Sequence, residues 1–270
     1  MHKPRYLPDA DRLSVLAATI LLAYALTNFV VLPSREFSIQ LPGLFLSFEI
    51  NIRTFVAILA GGLTASGADW ILRDHPALGN RTTLQHWLLP ALTAWVIGLP
   101  LFNLPPGWSW WVLFIAGGGV LMLVLVAEYI VVDPDDIRYS LGAAVLTAVS
   151  FAMFLILAIV LHSVGLRLIF LVPALGFACL LVSARTLHLR LNGQWLLPES
   201  LVIALVVGQI AAALHYWPLS PVAFGLAVLG PAYALTSFMT SLAQEHPVRQ
   251  SLIEPGVVLS LAWVVAVWIR

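Results

Sequence analysis

The chain has 270 residues, of which 61% are hydrophobic and only 10% are charged, and its mean hydropathy is +0.97. Soluble domains carry about 25% charged residues, and disordered chains are polar and poor in aromatic side chains, so this composition excludes both classes. Thirteen Lys and Arg residues balance thirteen Asp and Glu residues, so no net charge attracts nucleic acid. The composition is typical of an integral membrane protein.

The apolar runs predict nine membrane-crossing helices, since one such helix needs about 20 mostly apolar residues. The first run is too long for the core of a secretory signal peptide, so we interpret it as an uncleaved span. The predicted spans lie near 13–32, 53–72, 84–103, 109–132, 140–162, 166–184, 199–217, 220–243 and 252–269. Because the connections are short, the expected fold class is an all-α polytopic membrane protein in which residues 1–270 form a single integral membrane domain.

The loop after the first span alternates apolar and polar residues on both sides of Pro42-Gly43. A period of two is typical of β-strands, and Pro-Gly is typical of a turn. The apolar positions are Phe37, Ile39, Leu41, Leu44, Leu46 and Phe48. A turn at Pro42-Gly43 places Leu41 opposite Leu44 and predicts a short outer β-hairpin at about 36–50.

The distribution of Lys and Arg predicts the orientation, because loops on the cytoplasmic side of a membrane are enriched in these residues. With the N-terminus inside, the cytoplasmic side holds Lys3, Arg5, Arg12, Arg73, Arg81, Arg138, Arg185, Arg190 and Arg249. The outer side then holds only Arg35, Arg53, Arg167 and Arg270. We therefore expect a cytoplasmic N-terminus and an outer C-terminus.

Acidic residues are more one-sided still, since only Glu36 and Glu49 fall outside in this topology. This distribution points to the cytoplasmic face as the place for chemistry. No charged residue is expected near the bilayer centre, where ion-coupled transporters usually place ionisable groups or broken helices. The motifs Leu88-Leu-Pro90 and Gly98-Leu-Pro100 are expected to break the third span, which keeps a transport path open.

The candidate site consists of Asp69, Arg73 and Glu128. Both carboxylates are expected near the inner interface, at similar depths in the second and fourth spans. Glycine-rich patches on the same two spans favour close packing, so the three side chains are predicted to share one polar pocket. The alternative for Asp69 is an ion pair with Arg73 on the helix surface. The alternative for Glu128 is contact with lipid headgroups, Arg138 or Arg185.

Other polar motifs have structural interpretations. Ser251 and Glu254 fit a capping box that opens the last span, and the acidic run 133–136 fits a turn between spans four and five. Lys3 is the only lysine, so no retinal Schiff base can form inside the membrane. The seven histidines match no zinc-hydrolase spacing, so no metal site is expected, and no cofactor is indicated.

Two stretches resemble an uncharacterised family of multi-pass bacterial membrane proteins with a domain of unknown function. The first runs from Leu32-Pro-Ser-Arg-Glu36 through Gly67-Ala-Asp-Trp-Ile-Leu-Arg73, and the second is Ala127-Glu-Tyr-Ile-Val-Val-Asp-Pro-Asp-Asp136. The resemblance implies a bacterial inner-membrane location and transfers no activity.

Three classes of function remain open. The protein could handle a lipid-like or other hydrophobic substrate at the cytoplasmic-side pocket, as an enzyme or a carrier. It could be a non-catalytic scaffold or accessory subunit with a membrane-protein partner, or a small-molecule transporter. The one-sided acids and the abundant aromatic residues favour the first class, whereas the absence of catalytic motifs favours the second.

Overall fold

The structure, a computed structural model, describes residues 8–27, 35–41, 44–50, 52–79, 82–191 and 193–269. The chain divides into two compact units, residues 1–129 and residues 130–270. That the whole chain forms one integral membrane domain stays a prediction.

The first unit contains a helix, a strand pair and three further helices. Its elements are α1 (Ala10–Leu26), β1 (Arg35–Leu41), β2 (Leu44–Ile50), α2 (Ile52–Leu72), a 3₁₀ turn (Leu84–His86), α3 (Leu88–Asn103) and α4 (Trp108–Ile130). The second unit is helical in its described part, with α5 (Tyr139–Ser163), α6 (Leu168–Arg190), α7 (Leu197–His215), α8 (Pro221–Ala243), α9 (Val248–Ser251) and α10 (Ile253–Trp268).

Eight helical segments of the described residues are long and apolar enough to cross a membrane. They correspond to the predicted spans from 53–72 onward. The helix in the remaining predicted span, α1, has 17 residues, and the end of that span lies outside the described residues. The largest boundary difference is in α6, which continues to Arg190 instead of ending near 184. Arg185 therefore lies inside α6 and not in a loop. It is also buried, with only 1% of its surface exposed.

The strands β1 and β2 pair in antiparallel fashion. Leu41 lies opposite Leu44, as the alternation predicts. The same register pairs Ile39 with Leu46 and Phe37 with Phe48. The predicted turn residues 42 and 43 lie outside the described residues.

Glycines set the close contacts of the first unit. A Cβ on Gly67 of α2 would overlap the Leu16 side chain of α1, and a Cβ on Gly117 of α4 would lie 2.5 Å from Cγ2 of Ile97 in α3. The glycine patches therefore receive side chains of α1 and α3. The helix α2 packs on these same two helices and on the 3₁₀ turn.

Of the two breaks expected in the third span, the one at Gly98-Leu-Pro100 is absent, and an interruption lies next to Leu88-Leu-Pro90 but before it. The helix α3 is continuous from Leu88 to Asn103, with Pro90 in its first turn and Pro100 in its last. A proline near the start of a helix removes an N–H that has no partner within the helix, and one near the end removes a single hydrogen bond. The interruption lies at Trp87, between the 3₁₀ turn and α3.

In the second unit, α8 packs on α5, α7 and α10. Ser220 caps α8 by accepting a hydrogen bond from the backbone of Ala223 at 3.2 Å, and Pro221 suits the first turn. The capping box expected at Ser251 and Glu254 is wrong. Leu252 is the N-cap of α10 and no side chain caps it.

Candidate functional site

The end of α2 holds Asp69 and Arg73 together. Their positions are four residues apart, so both lie on one face of the helix, and Nε of Arg73 donates to Oδ2 of Asp69 at 2.6 Å. The Thr83 hydroxyl donates to the other carboxylate oxygen, Oδ1. The Asp69 side chain is 17% exposed, whereas that of Arg73 is 71% exposed. Two donors thus fix the carboxylate, and the carboxylate in turn orients an exposed guanidinium.

A cavity of about 650 Å³ opens beside this pair. Its described lining consists of Arg73, Leu78, Gly79, Thr82, Thr83, Leu84 and Trp87. The volume falls in the range of roughly 300–1,000 Å³ that is typical of small-molecule sites. Since Asp69 bonds both Arg73 and Thr83, this one carboxylate holds two side chains of the cavity wall.

Glu128 lies in a different environment. Its Oε2 is 2.7 Å from Nδ1 of His86, and the two side chains are 1% and 3% exposed. Glu128 occupies the last turn of α4, where the helix dipole disfavours a negative charge. A buried carboxylate at such a position needs a hydrogen-bond donor, and the 3₁₀ turn supplies His86.

The structure therefore brings Asp69 and Arg73 together and pairs Glu128 with His86. The segment 83–86 joins the two pairs, because the backbone N–H of His86 donates to the carbonyl of Thr83 at 2.8 Å. The alternative of an ion pair between Asp69 and Arg73 is present as well. A shared functional pocket of Asp69, Arg73 and Glu128 stays a prediction.

Further polar contacts flank this end of the first unit. The Arg12 guanidinium is 2.5 Å from the Asp74 carboxylate and lies 4.8 Å from the ring centre of Trp70. The rings of His75 and Tyr129 meet edge to face at 4.5 Å. Arg12 lies on the cytoplasmic side in the predicted topology, but its contacts with Asp74 and Trp70 could not be predicted, because they depend on the rotation of each helix.

The arrangement can bind an anion. A guanidinium presents a planar set of N–H donors that matches carboxylate or phosphate, and the threonine hydroxyls add neutral donors. Trp87 and Leu84 supply apolar surface next to them. Among the described residues, no group of three or more His, Cys, Asp or Glu side chains is placed to hold a metal ion.

These helices define a multi-pass α-helical membrane protein. Residues 32–269 match the model of a family described as "Protein of unknown function (DUF5656)". The chain belongs to this family, which confirms the expectation of an uncharacterised family. No curated protein and no solved structure matches the chain significantly.

Proposed function

We propose that this protein binds a lipid-like anionic ligand at the cytoplasmic face of a bacterial inner membrane, with the ligand's headgroup beside Arg73. The observation that carries the proposal is the cavity of about 650 Å³ lined by Arg73, Thr83 and Trp87. Its described lining combines the exposed Arg73 with hydroxyl donors and apolar surface. Anionic amphiphiles present the complementary combination of a charged head and an apolar chain.

Asp69 acts as the positioning residue in this proposal. It engages Nε of Arg73 at 2.6 Å, which leaves the two terminal nitrogens of the guanidinium in the geometry that binds a phosphate or carboxylate through two parallel hydrogen bonds. An exposed arginine with no such partner loses more side-chain entropy when it binds a ligand. The ion pair therefore preorganises the cation.

The cytoplasmic assignment is supported by the nine-to-four distribution of basic residues in the predicted topology. Anionic lipids are attracted to basic residues near the cytoplasmic surface. The end of α2 that carries Arg73 lies on that side in this topology.

The test is site-specific photo-crosslinking in vesicles that contain phosphatidylglycerol. Leu84 lines the cavity and is 61% exposed, so p-benzoylphenylalanine at this position reports on the cavity. We expect a lipid adduct that Arg73→Gln reduces at least tenfold, since a hydrogen bond to a charged group contributes about 1.5–3 kcal/mol and each 1.4 kcal/mol is tenfold. Asp69→Asn should give a smaller reduction, because the cation remains but is no longer held.

Arg53→Gln is the matched control, because Arg53 is an exposed arginine at the opposite end of α2. It should leave the adduct unchanged. Equal yields for Arg73→Gln and Arg53→Gln would refute the proposal. Adducts with a protein in place of lipid would refute it as well and would favour the accessory-subunit class.

A further inference from the structure

A second cavity lies within the second unit, and among the described residues it shares no lining with the first. Its volume is about 530 Å³, and its described lining comes from α5, the end of α6 and α8. The wall on α5 is built from small and apolar residues, among them Ala144, Ala148 and Phe151. Because Ala144 and Ala148 are exposed, this wall is open at the outer surface of α5.

One end of this cavity is polar. Arg190, the last residue of α6, lines it together with Tyr139 and Tyr233, and Arg190 lies beside the Tyr233 hydroxyl. That hydroxyl donates to Oε1 of Glu254 at 2.9 Å. Arg190 is the one charged side chain in the described lining.

Hydrogen bonds fix the rim around Arg190. The Tyr139 hydroxyl donates to the carbonyl of Leu189 at 3.1 Å, which ties the start of α5 to the end of α6. Glu254 holds Tyr233 against the start of α10. The polar end is thus built by four helices, and its cation has a defined place at the mouth of the cavity.

The apolar wall has the length of one membrane leaflet. Tyr139 and Phe151 are twelve positions apart on α5, which is about 18 Å at 1.5 Å per residue. Half of a hydrocarbon core of roughly 30 Å is about 15 Å. An acyl chain that runs along Ala144 and Ala148 would therefore remain at its ordinary depth while its head reaches Arg190.

We infer that this cavity binds one anionic amphiphile, with a phosphate or carboxylate on Arg190 and an acyl chain against Ala144, Ala148 and Phe151. The inference is independent of the function proposed for the Arg73 cavity. Arg190 provides the donors for an anionic head, because the Glu254 carboxylate accepts from the Tyr233 hydroxyl, and the exposed alanines form an open apolar wall for a chain.

The test uses the full-length chain in detergent and measures lipid retention by native mass spectrometry. Phosphatidylglycerol and oleate are the phosphate and carboxylate probes, and phosphatidylcholine is the zwitterionic reference. Ala148→Leu adds a larger side chain to an exposed position that lines the cavity. Its control, Ala152→Leu, adds the same volume to an exposed position on α5 that is not part of the described lining. Arg190→Gln removes the cation, and Arg249→Gln removes an exposed arginine elsewhere in the unit.

In an Arg73→Gln background, which removes the site of the proposed function, we expect one retained anionic lipid, with an affinity that Ala148→Leu lowers at least tenfold and Ala152→Leu leaves unchanged. Arg190→Gln should lower the affinity for the anionic probes about tenfold, to the level of phosphatidylcholine, whereas Arg249→Gln should not. Whichever anionic probe binds more tightly identifies the head as phosphate or carboxylate. Equal effects within either matched pair would overturn the inference, since they would indicate non-specific lipid around the helices. Arg73→Gln should leave retention at this cavity unchanged, so this result separates the two sites.

Discussion

Replacing Glu128 and His86 singly and together measures how strongly the buried pair couples the end of α4 to the 3₁₀ turn. Glu128→Leu and His86→Phe exchange each polar group for an apolar one of similar size. Each single variant leaves the other buried group without this partner, 2.7 Å away in the native structure. Leaving a buried polar group without its hydrogen-bond partner typically costs about 1–3 kcal/mol.

The double variant should be less destabilised than the sum of the two single variants. Replacing both partners of a buried pair by apolar groups is often close to neutral. With each single variant costing about 1–3 kcal/mol and the double variant close to neutral, we expect a coupling energy of about 2–6 kcal/mol. The assay is reversible unfolding in mixed micelles of increasing dodecyl sulfate content, followed by tryptophan fluorescence.

Asp69 and Arg73 provide the reference cycle. Arg73 is 71% exposed, and exposed pairs at positions i and i+4 contribute only about 0.3–0.5 kcal/mol. Asp69→Ala with Arg73→Ala should therefore give a much smaller coupling energy. A coupling energy for Glu128 and His86 that is no larger than the one in this reference cycle would refute the view that the buried pair stabilises the unit.

Two further predictions follow from the glycine contacts and the topology. Gly98→Ala should destabilise the first unit by about 1–3 kcal/mol, because its Cβ would lie 2.7 Å from Cε1 of Tyr24; Gly62→Ala, where nothing lies within 4 Å, should be neutral or stabilising in the same unfolding assay. Reporter fusions after Arg249 and after Arg270 should report opposite sides of the membrane, and the same side for both would remove the last predicted span.

Helix positions were predictable because span length and hydropathy are properties of the local sequence. The helices α2, α4, α5, α7 and α8 begin and end close to the predicted limits. The prediction failed where a charge or a proline was given too much weight. Arg185 did not end α6, because a long buried helix tolerates a charged side chain that is packed inside. Pro100 did not break α3, because it lies in the last turn.

Within the candidate site, only contacts along one helix were predictable. Asp69 and Arg73 lie four residues apart, so helix geometry alone brings them within reach. Thr83 lies outside α2, and its bond to Asp69 depends on how the connection to α3 folds back. The hydrogen bond from Tyr233 to Glu254 could not be predicted either, because it joins two different helices, α8 and α10. Local periodicity carries no information on such contacts.

The partner of Glu128 shows what physical reasoning from sequence could still have added. A carboxylate in the last turn of a helix is disfavoured by the dipole, and burial raises the cost of its charge further, so a donor from another segment is required. The partners expected from the sequence were lipid headgroups, Arg138 and Arg185, and His86 was not among them. Depth cannot choose the partner, because the rotation of α4 about its axis decides which neighbour faces Glu128. The side chains that fill the glycine patches, such as Ile97 against Gly117, set that rotation. The pairing with His86 therefore depends on contacts between helices, which the local sequence of α4 does not specify.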